Sequence, residues 1–253
     1  VSYSIPSYKG HLAIHEDGGA TFSQEVTYDF SSSYNGQYVT LGSVKPLPKG
    51  FNIEENPTVT VSDKAEKITT ENGVETVFTK RQIRVESEKL KDGIKLKVYN
   101  PGAYDKVVLK VTWQIKHMLD LYSDVAALNW FPISDWDNSI EHVDFTVTGL
   151  DAAKGDLYAH TGFFNKKPTV TRTPDGFKIH IDDLAPKGKL ELHAYWPMTK
   201  TLKEANASYI KNEAHKTTFL KKEAHIVRMG VFFRFLSFQL IPSLIIIVTL
   251  MGI

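Results

Sequence analysis

A mainly β protein is predicted: antiparallel β-sandwich lobes, then a juxtamembrane α-helix, then a transmembrane helix. Three observations predict it. Apolar and polar residues alternate with period two over most of the chain, tight-turn residues recur at short intervals, and the C-terminal run 235–253 carries no charged side chain. The alternation is first clear at Phe22, Val26, Tyr28 and Phe30, set against Ser23, Glu25, Thr27 and Asp29. Successive strand side chains point to opposite faces, so such a run buries one face and wets the other. Ile94, Leu96 and Val98 repeat the pattern against Lys95 and Lys97. It is strongest at Val107, Leu109, Val111, Trp113 and Ile115, and returns at Val143, Phe145 and Val147. Phe177, Ile179 and Ile181, then Leu190, Leu192 and Ala194, complete it. Asp17-Gly18-Gly19, Asn72-Gly73, Asp92-Gly93 and Thr173-Pro174-Asp175-Gly176 separate the runs with turn chemistry. The last lies between two alternating runs and predicts a hairpin. Pro46, Pro48 and Gly50 make 45–57 an exposed loop.

The strands divide into a larger lobe over 1–135 and a smaller one over 136–198. At Thr199 the pattern changes. Residues 200–228 have no Pro or Gly and are rich in Lys, Glu and Ala, which predicts a basic juxtamembrane helix over 199–229. Leu202, Ala205 and Tyr209, then Leu220, Ala224 and Val227, give it a thin apolar stripe. Gly230 is placed to bend the chain before a membrane helix over 230–253. At about 1.5 Å per residue the charge-free run covers roughly 28 Å, close to a hydrocarbon core of about 30 Å. A buried core helix is usually shorter, and an in-plane helix needs a polar stripe, where 235–253 has only Ser237, Gln239, Ser243 and Thr249. Pro242 is tolerated in a span when neighbouring groups satisfy the freed carbonyl.

Composition narrows the function. With no cysteine, disulfides, thiol catalysis and thiolate metal sites are excluded. The net charge of +1 conceals an asymmetry. Residues 200–228 hold seven basic and three acidic side chains, Arg234 adds another positive charge, and 1–199 is left at −4. An acidic globule with no basic face argues against nucleic-acid binding. Lys216, Lys221, Lys222, Arg228 and Arg234 instead sit beside the span, where anionic lipid attracts each by about 1 kcal/mol. They are the candidate lipid-proximal residues.

No catalytic constellation is recognisable: there is no Gly-x-Ser-x-Gly elbow, phosphate loop or His-Glu-x-x-His helix. No enzymatic activity, cofactor or metal is therefore expected. His11 and His15 stand about 13 Å apart on a strand, and His215 and His225 about 15 Å apart on a helix, so neither makes a zinc pair. Asp120, Asp124, Asp135, Asp137 and Glu141 are close in sequence and leave open a second reading, an envelope enzyme acting on polysaccharide through paired carboxylates. Turn aspartates more often cap or solvate. Asn206-Ala207-Ser208 matches a glycosylation sequon, a short match expected by chance. Trp113 lies within an alternating face and is a core anchor. Trp130 and Trp136 flank a turn-like stretch; they either pack the junction between lobes or form an exposed aromatic site.

Several stretches carry a family resemblance. They are Asp17-Gly18, then Glu25, Tyr28 and Phe30 on one strand, the run 108–115, Ala127-Leu128-Asn129-Trp130, Trp136 and Ile140. In this order, and followed by a span, they resemble the N-terminal domain of the bacterial predicted membrane proteins known as domain of unknown function 2207. The stretch 36–41, where members commonly carry Arg, has none here. The resemblance implies a removed signal peptide, in keeping with Val1 as the first residue, and an extracytoplasmic β-rich domain at the cell membrane. It brings no activity and no functional residues. The flanking Lys and Arg taken alone would favour a cytoplasmic domain, but a signal peptide carries folded domains across regardless of such charges. The expectation is therefore an extracytoplasmic binding or scaffolding module of the bacterial envelope. Its partners would be membrane lipid and an envelope protein or polymer. A subunit of a larger membrane complex is the remaining alternative.

Overall fold

The alternating runs fold as strands that bury the faces the sequence marks as apolar. The computed structural model describes all residues except 1, 43, 44, 46, 64, 65, 72, 78, 79, 92, 252 and 253. Asn72, Asp92, Pro46 and the last two residues of the expected span thus lie outside the described residues. The strands in chain order are β1 (Tyr3–Ile14), β2 (Ala20–Phe30), β3 (Ser33–Gly42), β4 (Asn52–Ile53), β5 (Thr58–Asp63), β6 (Glu66–Thr70), β7 (Gly73–Val77), β8 (Arg84–Leu90) and β9 (Gly93–Ala103). They continue as β10 (Lys106–Lys116), β11 (Asp120–Leu121), β12 (Val125–Ile133), β13 (Ile140–Thr148), β14 (Asp156–His160), β15 (Thr169–Thr173), β16 (Gly176–Leu184) and β17 (Leu190–Pro197). The helices are α1 (Lys200–Ala205), α2 (Lys216–Phe235) and α3 (Ile241–Met251).

An eight-stranded sheet runs β15-β16-β13-β1-β2-β10, with β4 and β5 both pairing along β10. It faces a second layer made of the four-stranded sheet β11-β12-β17-β14 and the three-stranded sheet β3-β9-β8. Neighbours pair antiparallel, save β1 with β13, which run parallel. β2 alternates buried and half-buried along its whole length. Phe22 meets Trp130 edge-on at 4.8 Å across the layers, and Tyr8 meets Trp136 at 5.7 Å. Gln24 falls on the apolar face of β2 and is satisfied there: its amide donates to Tyr8 Oη and its carbonyl accepts from Trp113 Nε1, both at 3.0 Å. Strands from 1–135 and from 136–198 share the same sheets, and one core extends from Ile5 to Leu202.

The turns follow the residues that make them. Gly18 takes φ +90, and the Asp17 side chain accepts from the Gly19 amide at 2.9 Å, closing the β1–β2 hairpin. The β15–β16 hairpin turns at Pro174-Asp175, with Thr173 opposite Gly176. Gly176 is needed for space, since a Cβ there would lie 1.9 Å from the Val147 carbonyl oxygen.

The expected helix over 199–229 is two helices. Thr199 caps α1 by accepting from the Leu202 amide, and Leu202 is buried. Asn206 then donates to the Leu202 and Asp17 carbonyls and ends the helix. Lys211 next joins the sheet through a bridge to Tyr122, which no helical residue could do. Gly230 does not bend the chain; α2 passes straight through it against the Phe163 ring. The departure comes later, as a π-helical turn at 236–240 ahead of Pro242, whose missing N–H breaks the regular ladder. Ser243 donates to the Gln239 carbonyl there. Together α2, the π turn and α3 make one continuous helix, Lys216–Met251, of 36 residues. Its most apolar window has a mean hydropathy of 2.1 and is nowhere buried. Thirty-six residues span about 54 Å, well beyond a hydrocarbon core, so its first half is free to stand outside the lipid.

Candidate functional site

The outer face of the four-stranded sheet is not left to water. On β17 the core takes Leu190, Leu192, Ala194 and Trp196, which turns Glu191, His193 and Tyr195 outward. Pairing puts Tyr158 opposite His193, and His160 opposite Glu191, on the same outer face. The helix α2 covers this face. Phe219 packs edge-on to Tyr195 at 5.1 Å, within a cluster that includes Tyr122, Val125 and Ala127. One turn on, Glu223 is buried; further along, Gly230 meets Phe163, Phe233 stacks on it at 5.3 Å, and Arg234 Nε donates to its carbonyl. The docked stripe is thus 219, 223, 230 and 233–234. The expected stripe was displaced: Leu220 and Val227 are 38% and 57% exposed, and Ala224 is exposed as well. The cause is that a charged residue, Glu223, occupies the middle of the buried face.

Glu223 is buried because it has partners. One carboxylate oxygen lies 2.8 Å from His160 Nε2, and the other contacts His193 Nδ1. The far side of the His193 ring, Nε2, is 2.6 Å from Glu191 Oε1. Burial alone would lower the His193 imidazole, but the two carboxylates override it and raise the group to about 9. Burial alone would raise the Glu223 carboxyl; the His160 and His193 hydrogen bonds reverse that and bring it to about 2. Around neutral pH the cluster therefore holds a His193 cation between two carboxylates. The donor atoms of His160, His193 and Glu223 all lie within 4.8 Å of one another, close enough to share one metal ion. His142, His180 and Asp182 form a second such group, at the surface of β13 and β16.

Beside the cluster, α2 and the sheet enclose a cleft of about 590 Å³. Apolar Met118 and Phe219 line it with His193, Glu223, Lys221 and Lys222. The start of α2 is held by Asp124, whose carboxylate accepts from the His215 and Lys216 amides at 2.8 and 3.1 Å. A helix N-terminus leaves amides unpaired and carries partial positive charge, so an acid from the sheet side is well placed. Burial alone would raise the Asp124 carboxyl, but these backbone N–H groups lower it.

The candidate residues from sequence are dispersed. Lys216 is exposed and lies over the Tyr195 ring at 5.6 Å, Lys221 and Lys222 border the cleft, Arg228 is exposed, and Arg234 is tied to Phe163. Trp130 and Trp136 are 1% and 7% exposed, so neither forms an exposed aromatic site; both pack between the layers, Trp130 also donating to the Gly42 carbonyl. The carboxylates of 120–141 are not gathered into one site. Asp120 pairs with Lys211 and Tyr122, Asp124 caps α2, and Asp135 and Asp137 share Lys187. Asp124 and Asp135 stand beyond opposite ends of β12, roughly 30 Å apart by strand rise. Asn206 of the sequon is 3% exposed with its amide donating inward. His15 bonds Thr21 and His11 bonds Thr148, while His215 stacks on Tyr122 at 3.9 Å.

The cluster at 160, 193 and 223 escaped sequence reading because its members are 30 and 63 positions apart on three elements. Its signal is the outward strand faces, Tyr158-x-His160 and Glu191-x-His193-x-Tyr195, which pair aromatic with titratable residues as a covered face does.

The family model described as the N-terminal domain of a predicted membrane protein, DUF2207, matches residues 4–196. No curated protein matches the chain. Among solved structures, leukotriene A4 hydrolase from Saccharomyces cerevisiae is 8% identical with a TM-score of 0.42, over 76% of this chain and 29% of that one. An M1 zinc metallopeptidase from Deinococcus radiodurans is 9% identical with a TM-score of 0.36, over 75% of this chain and 42% of that one. The chain thus spans less than half the length of either, and likeness this distant carries over no activity.

Proposed function

The chain belongs to the family of predicted membrane proteins with the DUF2207 N-terminal domain, and on that premise we propose that it is an extracytoplasmic binding module of the bacterial envelope. The observation that supports this reading is the union of domain and membrane helix. The sheet β11-β12-β17-β14 holds α2 through Phe219 and Glu223, the loop after β14 holds it through Arg234, and α2 continues without a break into the apolar helix. A ligand held by the domain is thereby fixed at a set distance from the lipid, as a scaffold at a membrane requires. Lys221, on the rim of the cleft, stands 14 residues before the charge-free run, about 20 Å along the helix. Its apolar floor and two lysines suit a ligand that joins an anionic group to an apolar body.

Phosphate-bearing lipid and phosphate-bearing polymer share that chemistry. Two binding assays on the full chain in nanodiscs separate them. One measures retention of phosphatidylglycerol by native mass spectrometry; the other measures capture of poly(glycerol phosphate) by discs of zwitterionic lipid. Binding in either arm that is lost in Lys221→Ala/Lys222→Ala supports the cleft as the ligand site. Equal binding by wild type and variant in both arms would overturn it.

A further inference from the structure

We propose that His160, His193 and Glu223 bind a divalent transition-metal ion of the zinc class, with Glu191 orienting His193, and that the ion locks the four-stranded sheet to α2. The three donors come from three elements, β14, β17 and α2, so the ion would cross-link the domain to the membrane helix rather than stiffen one hairpin. The ligand chemistry is selective. Two imidazole nitrogens and one carboxylate oxygen suit zinc and its neighbours, whereas calcium and magnesium take oxygen ligands. The ring behind the first contact is also set up for a metal. His193 offers Nδ1 to the cluster while Nε2 lies 2.6 Å from Glu191, and a metal-bound histidine typically donates its other N–H to a carboxylate in this way.

Burial separates this group from chance surface clusters. The side chains of Glu223 and His193 are 5% and 10% exposed, and that of His160 is 21% exposed. Tetrahedral zinc with bonds near 2.0–2.1 Å spaces its ligand atoms by about 3.3 Å. The His160–Glu223 contact of 2.8 Å needs to widen by only about half an ångström. With both rings neutral, the two charges of a divalent ion balance Glu223 and Glu191. His193 and Glu223 also line the cleft, which gives water or a ligand group access to the fourth position. An ion would bind here whichever side of the membrane the domain occupies, and whether or not the cleft takes an anionic ligand.

The test uses the full chain in detergent, stripped with chelator and loaded with one equivalent of Zn²⁺. X-ray absorption should show four nitrogen or oxygen neighbours near 2.0 Å, with outer-shell scattering from two imidazoles. Binding of Co²⁺, followed by its visible bands, should weaken by about 10- to 100-fold in Glu191→Gln. It should weaken further in His160→Gln and in Glu223→Gln, and remain unchanged in His142→Gln/His180→Gln. Near-UV circular dichroism checks each fold, and should a variant unfold, the absorption spectrum of the unaltered chain decides. Absence of imidazole scattering, equal Co²⁺ binding by Glu223→Gln and wild type, or loss confined to the His142/His180 variant would each overturn the site.

Discussion

Replacing Glu223 by alanine removes the carboxylate that accepts from both His160 and His193. The Glu223 and His193 side chains are 5% and 10% exposed. Removing one partner of a buried pair leaves the other charge uncompensated and costs about 3–5 kcal/mol. Two features pull the value toward the lower end. His160 retains access to water, and Glu191 still faces His193 after the change. About 3 kcal/mol, concentrated at the contact between β17 and α2, corresponds to a rise of roughly 100-fold in the population with α2 lifted from the sheet. Hydrogen exchange read by mass spectrometry measures that population, with metal held off by chelator. Amides of 219–230 should lose protection by about that factor, while those of β2 and β10 in the main core change little. Glu223→Gln keeps the shape but not the charge and should fall between the two, at about 1.5–3 kcal/mol. Unchanged protection over 219–230 in the alanine variant would refute the reasoning, and Phe219 packing alone would then have to hold the helix.

Phe219→Ala should open the same contact from the apolar side, costing about 3 kcal/mol by urea denaturation of the α2 signal. Leu220→Lys, one position away on the exposed face, should change stability by no more than about 0.5 kcal/mol in the same assay. Asp124→Asn should destabilise the start of α2 by about 0.5–2 kcal/mol. Its pH signature has a fixed sign. The folded Asp124 carboxyl lies below the unfolded value of about 3.9, so its contribution is present above about pH 4 and lost as pH falls through the folded value. Exchange at 216–220 should therefore rise in acid in the wild type and depend less on pH in Asp124→Asn. Gly176→Ala pushes a methyl against the Val147 carbonyl and should lower the melting transition by the equivalent of about 1–3 kcal/mol.

The strands were legible because their signal is local. Val107, Leu109, Val111, Trp113 and Ile115 alternate with polar residues, and β10 buries all five. The long apolar helix was legible for the same reason, since its charge-free run is continuous in sequence. The partition of 199–229 into two helices was not. It depends on the Asn206 side chain reaching Asp17, far away in sequence, and on the Lys211 amide donating to the Leu121 carbonyl of β11. The stripe on α2 was misplaced because periodicity scores Glu223 as a solvent residue, and only the histidines of β14 and β17 make it a core one. The same non-local pairing hid the candidate site. Trp130 and Trp136 were ambiguous for a different reason. A turn-like stretch exposes backbone, yet both indoles extend from it into the gap between layers.

Orientation is the claim on which the proposed role rests, and the absence of cysteine from this chain makes it direct to measure. Lys154, 74% exposed in its side chain and engaged only in a surface ion pair with Asp151, is an accessible position for a single cysteine, and loss of such a pair costs about 0–1 kcal/mol. The measurement is labelling of Lys154→Cys in the full-length protein by a membrane-impermeant maleimide, in intact and in lysed cells, with the unsubstituted protein as background. An extracytoplasmic domain predicts equal labelling in both. Labelling only after lysis would contradict it, and would place the cleft, the basic residues of α2 and their ligands in the cytoplasm.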